Sequence, residues 1–181
     1  MLLTLGIIPI VMVVAQEQQW QTHTDPQNRF TISHPSGWTV DPATNRFEGM
    51  DVRFTSPQNP SLTVGVNVME DLPVYNKEDD SAIEIAMLDY ISGLQDTFPK
   101  LNIFQDVECN KYSMNGQSTC SFIYTHPDSA GIQNAVMEVS ILDASNSRIF
   151  MLSYANSQDA FDADLPLVEQ MINSFRIIGD K

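Results

Sequence analysis

Three aspartates late in the chain have a spacing that could hold a divalent cation. Asp159, Asp162 and Asp164 offer carboxylate oxygens, which are the ligands that Ca²⁺ prefers. The segment lacks the glycine and the closing glutamate of a calcium-binding loop, so helix capping and a solvated acidic surface are the favoured explanation. We therefore expect no bound cofactor, with Ca²⁺ at these aspartates as the alternative.

The residue types that perform acid–base or nucleophilic chemistry are scattered along the chain. The three histidines, His23, His34 and His126, lie far apart, and a structural hydrogen bond is the simplest role for each of the last two. Cys120 has no basic neighbour that would activate a thiolate. The sequence also lacks the motifs of serine hydrolases, zinc proteases, dinucleotide-binding proteins and P-loop proteins. These observations predict a protein that is not an enzyme.

Two cysteines flank an Asn-Gly turn signal and can form a disulfide if the register of the hairpin allows it. A four-residue loop over residues 113–116 places Cys109 directly opposite Cys120, within bonding reach. A two-residue turn at Asn115 and Gly116 would instead place Cys109 opposite Phe122. The disulfide between Cys109 and Cys120 is therefore a prediction about register.

Residues 1–15 form an apolar segment that is too short to span a bilayer and is typical of a signal peptide. Val13 and Ala15 are small residues placed for cleavage before Gln16. We expect a signal peptide over residues 1–15 and a flexible polar lead-in over residues 16–28. The resulting protein would be secreted or extracytoplasmic. The alternatives are a buried N-terminal helix or an uncleaved anchor that keeps the protein at the membrane.

The net charge is −14, from 23 acidic and 9 basic residues. Phosphate binding needs a basic face, so this balance argues against nucleic acid and against docking on anionic lipid. It favours solubility, cationic partners or divalent ions, although a solvated acidic surface explains it as well.

Alternating apolar residues and turn signals divide the chain into strands, a helix, more strands and a second helix. Strands are predicted over residues 29–34, 38–40, 50–55, 62–68, 101–112, 117–125, 134–144 and 148–155. The first helix runs from about Ser81 to the stop at Pro99, and the second has Asp164 as its cap and Pro166 in its first turn. Because hairpin signals dominate, we expect an α+β fold with a mainly antiparallel sheet.

Two segments resemble the opening and closing signatures of PsbP-like proteins. Residues 30–38, FTISHPSGW, match a strand, a proline and a tryptophan, whereas residues 148–161 and 171–177 match a tyrosine-bearing strand and a helix that ends in Ser-Phe. Residues 115–119, NGQST, sit where such proteins carry a hairpin. We assign residues 29–179 to a single PsbP-like domain. If its two signatures meet, Trp38 lies in or beside the core that receives Phe175 or Leu165.

The resemblance implies an α/β/α sandwich in which two main helices cover the sheet, and a non-enzymatic protein. Plant and cyanobacterial members are lumenal subunits associated with the photosystem II oxygen-evolving complex. Others with this fold bind the small GTPase Ran, or are bacterial lipoproteins and secreted proteins. The chain lacks both a lipobox cysteine and a lysine-rich N-terminal region, so only the fold is carried over.

We therefore predict a monomeric, secreted, non-catalytic accessory or binding domain that docks on a membrane or envelope protein complex. The candidate contact residues are Trp20, Phe47 and Tyr75, which are aromatic and lie in polar or loop surroundings. The alternatives are a Ca²⁺-binding module, or a small-ligand carrier or enzyme. The site of the latter would lie between the sheet and the helix over residues 76–99.

Overall fold

The computed structural model describes residues 18–42, 50–70, 81–112, 114 and 116–179. Its strands are β1 Trp20–Thr24, β2 Phe30–Pro35, β3 Thr39–Pro42, β4 Val52–Thr55, β5 Thr63–Met69, β6 Asn102–Cys109, β7 Thr119–Pro127, β8 Gln133–Asp143, β9 Arg148–Ser157 and β10 Arg176–Ile177. Its helices are α1 Ser81–Thr97 and α2 Gln158–Ser174.

The strands form two sheets within the described residues. A seven-stranded sheet has the order β3-β4-β5-β9-β8-β7-β6, and a three-stranded sheet has the order β1-β2-β10. All of their strand pairs are antiparallel. Helix α1 packs on β6, β7 and β8, whereas α2 packs on β8 and β9 and also on β2 of the small sheet. The predicted α+β sandwich with two helices on a mainly antiparallel sheet is confirmed.

The central strands β8 and β9 are buried along most of their length because the sheet is covered on both faces. Strand β5 shows the alternation that predicted it, since Val64 and Val66 are fully buried. On the α2 face, Trp38 is 8% exposed and belongs to the same core cluster as Phe175, with Leu165 packed against it. The expected meeting of the two signatures is confirmed.

The expectation of a flexible lead-in over residues 16–28 is wrong where β1 forms. Strand β1 pairs with β2 along its whole length, from Trp20 opposite Pro35 to Thr24 opposite Thr31. Its sequence is mostly polar, so its own pattern gives little strand signal. The unpaired edge of β2 supplies the backbone partners that hold it.

Helix α2 begins at Gln158, six residues before the predicted cap at Asp164. Phe161 explains the earlier start, because its ring stacks on Tyr154 with centroids 4.5 Å apart and the Tyr154 hydroxyl donates to its carbonyl at 2.8 Å. Pro166 therefore lies inside the helix and not in its first turn. It leaves one intrahelical hydrogen bond unmade.

The β6–β7 hairpin pairs Cys109 with Cys120 as predicted, but its turn is not the one on which the prediction depended. Met114 and Gln117 form an antiparallel bridge, as a two-residue turn requires, yet Cys109 still faces Cys120. The pairing shifts by two residues between these points, where Asn110 has a φ of 62°. The two sulfur atoms lie at bonding distance, 2.02 Å.

Candidate functional site: an acidic cleft and buried polar groups

A cleft of about 580 Å³ opens where β5 ends and β9 begins. Its walls come from the β1–β2 turn, from residues next to β3 and β4, and from the last residues of β5. The lining residues are Asp25, Pro26, Gln27, Arg29, Pro42, Met50, Asp51, Asn67, Val68 and Glu70. Four separate stretches of the chain therefore build one polar surface.

Arg29 is a buried charged group in the wall of this cleft, with 7% of its surface exposed. Its Nε and Nη2 atoms donate to the two carboxylate oxygens of Asp25 at 2.8 and 3.0 Å, and Nη2 also donates to Asp51 at 2.6 Å. Its Nη1 atom lies 3.5 Å from a carboxylate oxygen of Glu70. Such forked, charge-assisted pairing fixes the guanidinium in one orientation.

The β1–β2 turn brings Asp25 and Arg29 together. Asn28 adopts a φ of 59°, which its short polar side chain tolerates, and its N–H donates to the Asp25 carbonyl at 2.8 Å. Burial alone would raise the pKa of Asp25, but the hydrogen bonds and the charge of Arg29 outweigh burial and lower this pKa. The carboxylate is therefore ionised.

The cleft carries more negative than positive charge. Three carboxylates, those of Asp25, Asp51 and Glu70, face the single guanidinium of Arg29, which leaves an excess of two negative charges among the lining residues. Asp51 is also held by the backbone, since its Oδ2 accepts from the Val68 N–H at 2.8 Å. Glu70 has half of its side chain exposed and is the carboxylate best placed to meet a cationic group.

A second cavity, of about 290 Å³, lies at the same end of the molecule. It is lined by Met114, Gln117, Asp143, Ser145, Asn146, Phe175, Ile177 and Gly179. Here Arg148 donates from Nε to Asp143 at 2.8 Å and its guanidinium lies over the Phe150 ring at 5.3 Å. Arg148 also reaches the carbonyl of Ile178 at 3.5 Å, and the Ile178 N–H donates to the Arg29 carbonyl at 2.8 Å. The two buried arginines are thus joined through one residue.

Glu138 is a further buried acid that the sequence patterns missed. It sits in the middle of β8 on the face that α1 covers, with 2% of its surface exposed. Ser153 on β9 donates a short hydrogen bond to it, and the hydroxyls of Tyr90 on α1 and Tyr124 on β7 approach it. Burial raises its pKa to about 7, and these three hydroxyls oppose the rise. A glutamate between the apolar residues Met137 and Val139 of β8 was the available signal.

The structure does not bring together the three aspartates of the alternative Ca²⁺ site. Asp159 and Asp162 are exposed on α2, and Asp164 accepts a hydrogen bond from Asn156 at 2.9 Å. On a helix, residues 162 and 164 point about 200° apart, so they cannot share one ion. No group of three candidate metal ligands occurs in the described part of the chain. The three aspartates lie in the first two turns of helix α2 and not in a loop.

His23 and His34 serve as packing groups in the small sheet, whereas His126 lies on β7, where its ring stacks on Phe98. The ring nitrogen Nδ1 of His34 lies 3.0 Å from the Pro35 carbonyl, and its ring packs on Phe54 with centroids 5.0 Å apart. His23 meets the same Phe54 ring edge-on at 5.6 Å, and its Nε2 atom is buried without a hydrogen-bond partner among the described residues. Burial lowers the pKa of His23; the nearby Asp25 raises it in part, and His34 lowers it further.

The proposed contact residues are only partly placed. Trp20 is half-buried on β1 and packs against the main core, which limits the surface it offers to a partner. Phe47, Tyr75 and the predicted signal segment 1–15 lie outside the described residues. Their contact and targeting roles stay predictions.

No protein-family model matches the sequence, and no curated protein is significantly similar to it. Solved structures do match. The cyanobacterial PsbP protein CyanoP from Synechocystis sp. PCC 6803 superposes with a TM-score of 0.62 at 14% identity, over 96% of this chain and 98% of CyanoP. The chain has a PsbP-like fold.

Two further structures share this PsbP-like fold. LpqN, involved in cell envelope biogenesis of Mycobacterium tuberculosis, gives a TM-score of 0.60 at 12% identity, over 91% of this chain and 93% of LpqN. The Saccharomyces cerevisiae Ran-binding protein Mog1p gives 0.57 at 11% identity, over 89% of this chain and 96% of Mog1p. At such identities the likeness establishes the fold alone. In the described ranges, neither helix is long and apolar enough to cross a membrane.

Proposed function

We propose that the protein is a secreted, non-catalytic binding domain that docks on a protein complex at a membrane or cell envelope. The observation that carries the proposal is the PsbP-like fold, which Mog1p, a Ran-binding protein, and LpqN, a protein involved in envelope biogenesis, also have. The apolar segment 1–15 and the disulfide between Cys109 and Cys120 support a place outside the cytoplasm, since disulfides persist in oxidising compartments.

The acidic cleft is the surface that we propose for docking. Arg29 holds Asp25 and Asp51 in fixed positions, so the cleft keeps its shape and its excess negative charge. Glu70, with half of its side chain exposed, can pair with a lysine or arginine of the partner. The net charge of −14 adds long-range attraction to a basic partner.

Site-specific photo-cross-linking in native membrane fractions tests this function. A cross-linking residue in place of Gln27, in the cleft wall, is expected to capture the same envelope protein in repeated experiments. The matched control replaces Ser129, which is exposed in the loop after β7 at the opposite end of the sheet. Capture of the same proteins from both positions, or none from Gln27, contradicts docking through the cleft.

Glu70→Gln tests the chemistry of the docking surface. Its ion pair with Arg29 is half exposed, so its loss should change the free energy of unfolding by less than about 1 kcal/mol. Capture through position 27 should nevertheless fall severalfold and lose much of its salt dependence. Glu84→Gln, an exposed acid on α1, is the control that should leave capture unchanged.

The region under α1 gives less support to a ligand carrier or an enzyme. Ile83 and Met87 fill the space between the helix and the sheet and are 1% and 2% exposed. Glu138 is the only acid in the polar cluster that α1 covers within the described residues. Calorimetric titration with Ca²⁺ tests the remaining alternative, and we expect no heat of binding.

A further inference from the structure

Helix α1 covers a polar cluster on its side of the seven-stranded sheet. Glu138 lies at the centre of this cluster, on a strand that has a neighbour on each side in the sheet. With 2% of its surface exposed, its carboxyl group is removed from water while the helix is in place. An acid in this position is costly to ionise unless a cation or several donors compensate.

The groups that face Glu138 are hydroxyls from each element around it. Tyr90 approaches from α1, Tyr124 from β7 and Ser153 from β9. Among the described residues, none of the groups placed against this carboxyl is a cation. The hydroxyls of both tyrosines are also held neutral, because burial and the neighbouring Glu138 raise their pKa values far above the physiological range.

Only one stripe of α1 attaches the helix to the sheet. Ile83 and Met87 are buried, and Tyr90 is partly buried beside them. The outer side is open, since Ile85 and Leu88 are 57% and 52% exposed. Lifting the helix would therefore disturb few contacts elsewhere and would return water to Glu138.

We propose that α1 is a pH-sensitive cover, held most tightly while Glu138 is protonated and loosened when this carboxyl ionises. In the closed state burial raises the pKa of Glu138 from 4.5 to about 7, and water would restore the lower value once α1 has lifted. The open state thus binds fewer protons than the closed state between these two pH values. Opening rises about tenfold per pH unit in this window and levels off above it.

Hydrogen exchange of the wild-type protein, followed by mass spectrometry from about pH 5 to about pH 8, tests the proposal. After correction for intrinsic exchange, α1 peptides should open about fortyfold more often at pH 7 than at pH 5. Peptides of the central strands β8 and β9, which open only on global unfolding, should stay better protected than α1 at every pH. A flat α1 profile, or equal protection of α1 and the central strands, overturns the proposal.

Two variants distinguish opening of α1 by ionisation of Glu138 from an effect of side-chain packing alone. Glu138→Gln keeps the shape of the side chain and removes its titration, so the α1 profile should become flat with pH. Tyr90→Phe removes a donor that favours the ionised acid, so opening should continue to rise beyond the wild-type plateau. Asp89→Asn, an exposed change on the same helix, is the control that should keep the wild-type profile.

A direct titration keeps the proposal testable if Glu138→Gln does not fold. Carbon-13 spectra of the glutamate carboxyls in the wild-type protein should show one group that titrates near pH 7. If all glutamates titrate near the ordinary value of about 4.3, the proposal is wrong.

Discussion

The two faces of the seven-stranded sheet are held by different chemistry. On the α2 face, the rings of Phe30, Phe150 and Phe175 pack with centroids 5.3 to 6.0 Å apart in a large apolar cluster. On the α1 face, the core is smaller and contains the Glu138 cluster and the Cys120 sulfur. Apolar packing responds little to protons or reductants. The α1 face therefore carries most of the molecule's sensitivity to its surroundings.

The largest effect should come from a cavity on the α2 face. Phe175→Ala removes a ring that is 1% exposed and should lower the free energy of unfolding by about 3–5 kcal/mol. Urea unfolding measures the change. Phe98→Ala, at a ring that is 37% exposed, is the control and should cost much less. Similar losses in the two variants would show that the α2 face is not the main source of stability.

The next largest effect on the free energy of unfolding should come from protonation of Glu138 on the α1 face. The pKa of Glu138 rises from 4.5 to about 7 on folding, so its contribution is fully present below 4.5 and is lost as the pH rises to about 7. The difference in unfolding free energy between wild type and Glu138→Gln should therefore change by about 3 kcal/mol across this window. Urea unfolding at a series of pH values measures it. A difference that does not vary with pH would contradict the role given to this carboxyl.

The disulfide should contribute somewhat less to the free energy of unfolding than Glu138 does. The Cys109–Cys120 bond closes a short loop, with a sequence separation of 11, so its removal should cost about 2–3 kcal/mol. Comparing unfolding of oxidised wild type with the doubly substituted Cys109→Ser, Cys120→Ser variant measures this contribution. Mass spectrometry of the unreduced protein provides a separate check, because two free thiols would disprove the bond.

The smallest effect comes from His23 in the three-stranded sheet. It should change the free energy of unfolding with pH in the direction opposite to Glu138. Folding lowers the pKa of His23, so its contribution is present above the unfolded value of 6.5 and is lost as the pH falls through the folded value. Relative to His23→Gln, the wild type should lose stability in mild acid. Acid would then destabilise the three-stranded sheet through His23 and stabilise the α1 face through Glu138. A loss toward alkaline pH would contradict it.

Much of the fold could be predicted because single segments carry its signals. The alternation in β5 and the expected meeting of Trp38 with Phe175 depend on apolar pattern, and the structure agrees with both. Strand β1 could not be predicted, because it depends on the partner β2 and not on its own mostly polar residues.

The candidate sites were harder to predict because tertiary contacts build them. Arg29 draws its partners Asp25, Asp51 and Glu70 from separate stretches of sequence. Glu138 is visible as an acid within an apolar strand, but only the docking of α1 determines that it is buried. The aspartates of α2 are the reverse case. Their spacing in sequence suggests a shared cation, but the helix points their side chains in different directions.

Strand β2 joins distant parts of the chain, and this has a consequence for the order of folding. Ile177 on β10 pairs with Phe30 on β2, and the Ser174 hydroxyl at the end of α2 accepts a hydrogen bond from the Ser33 N–H at 2.8 Å. The meander β7-β8-β9 can assemble from neighbouring hairpins, but the three-stranded sheet must wait until β10 has been made. Closing so long a loop is entropically slow. During synthesis, β2 therefore has to remain without its partner β10 until nearly the whole chain has been made.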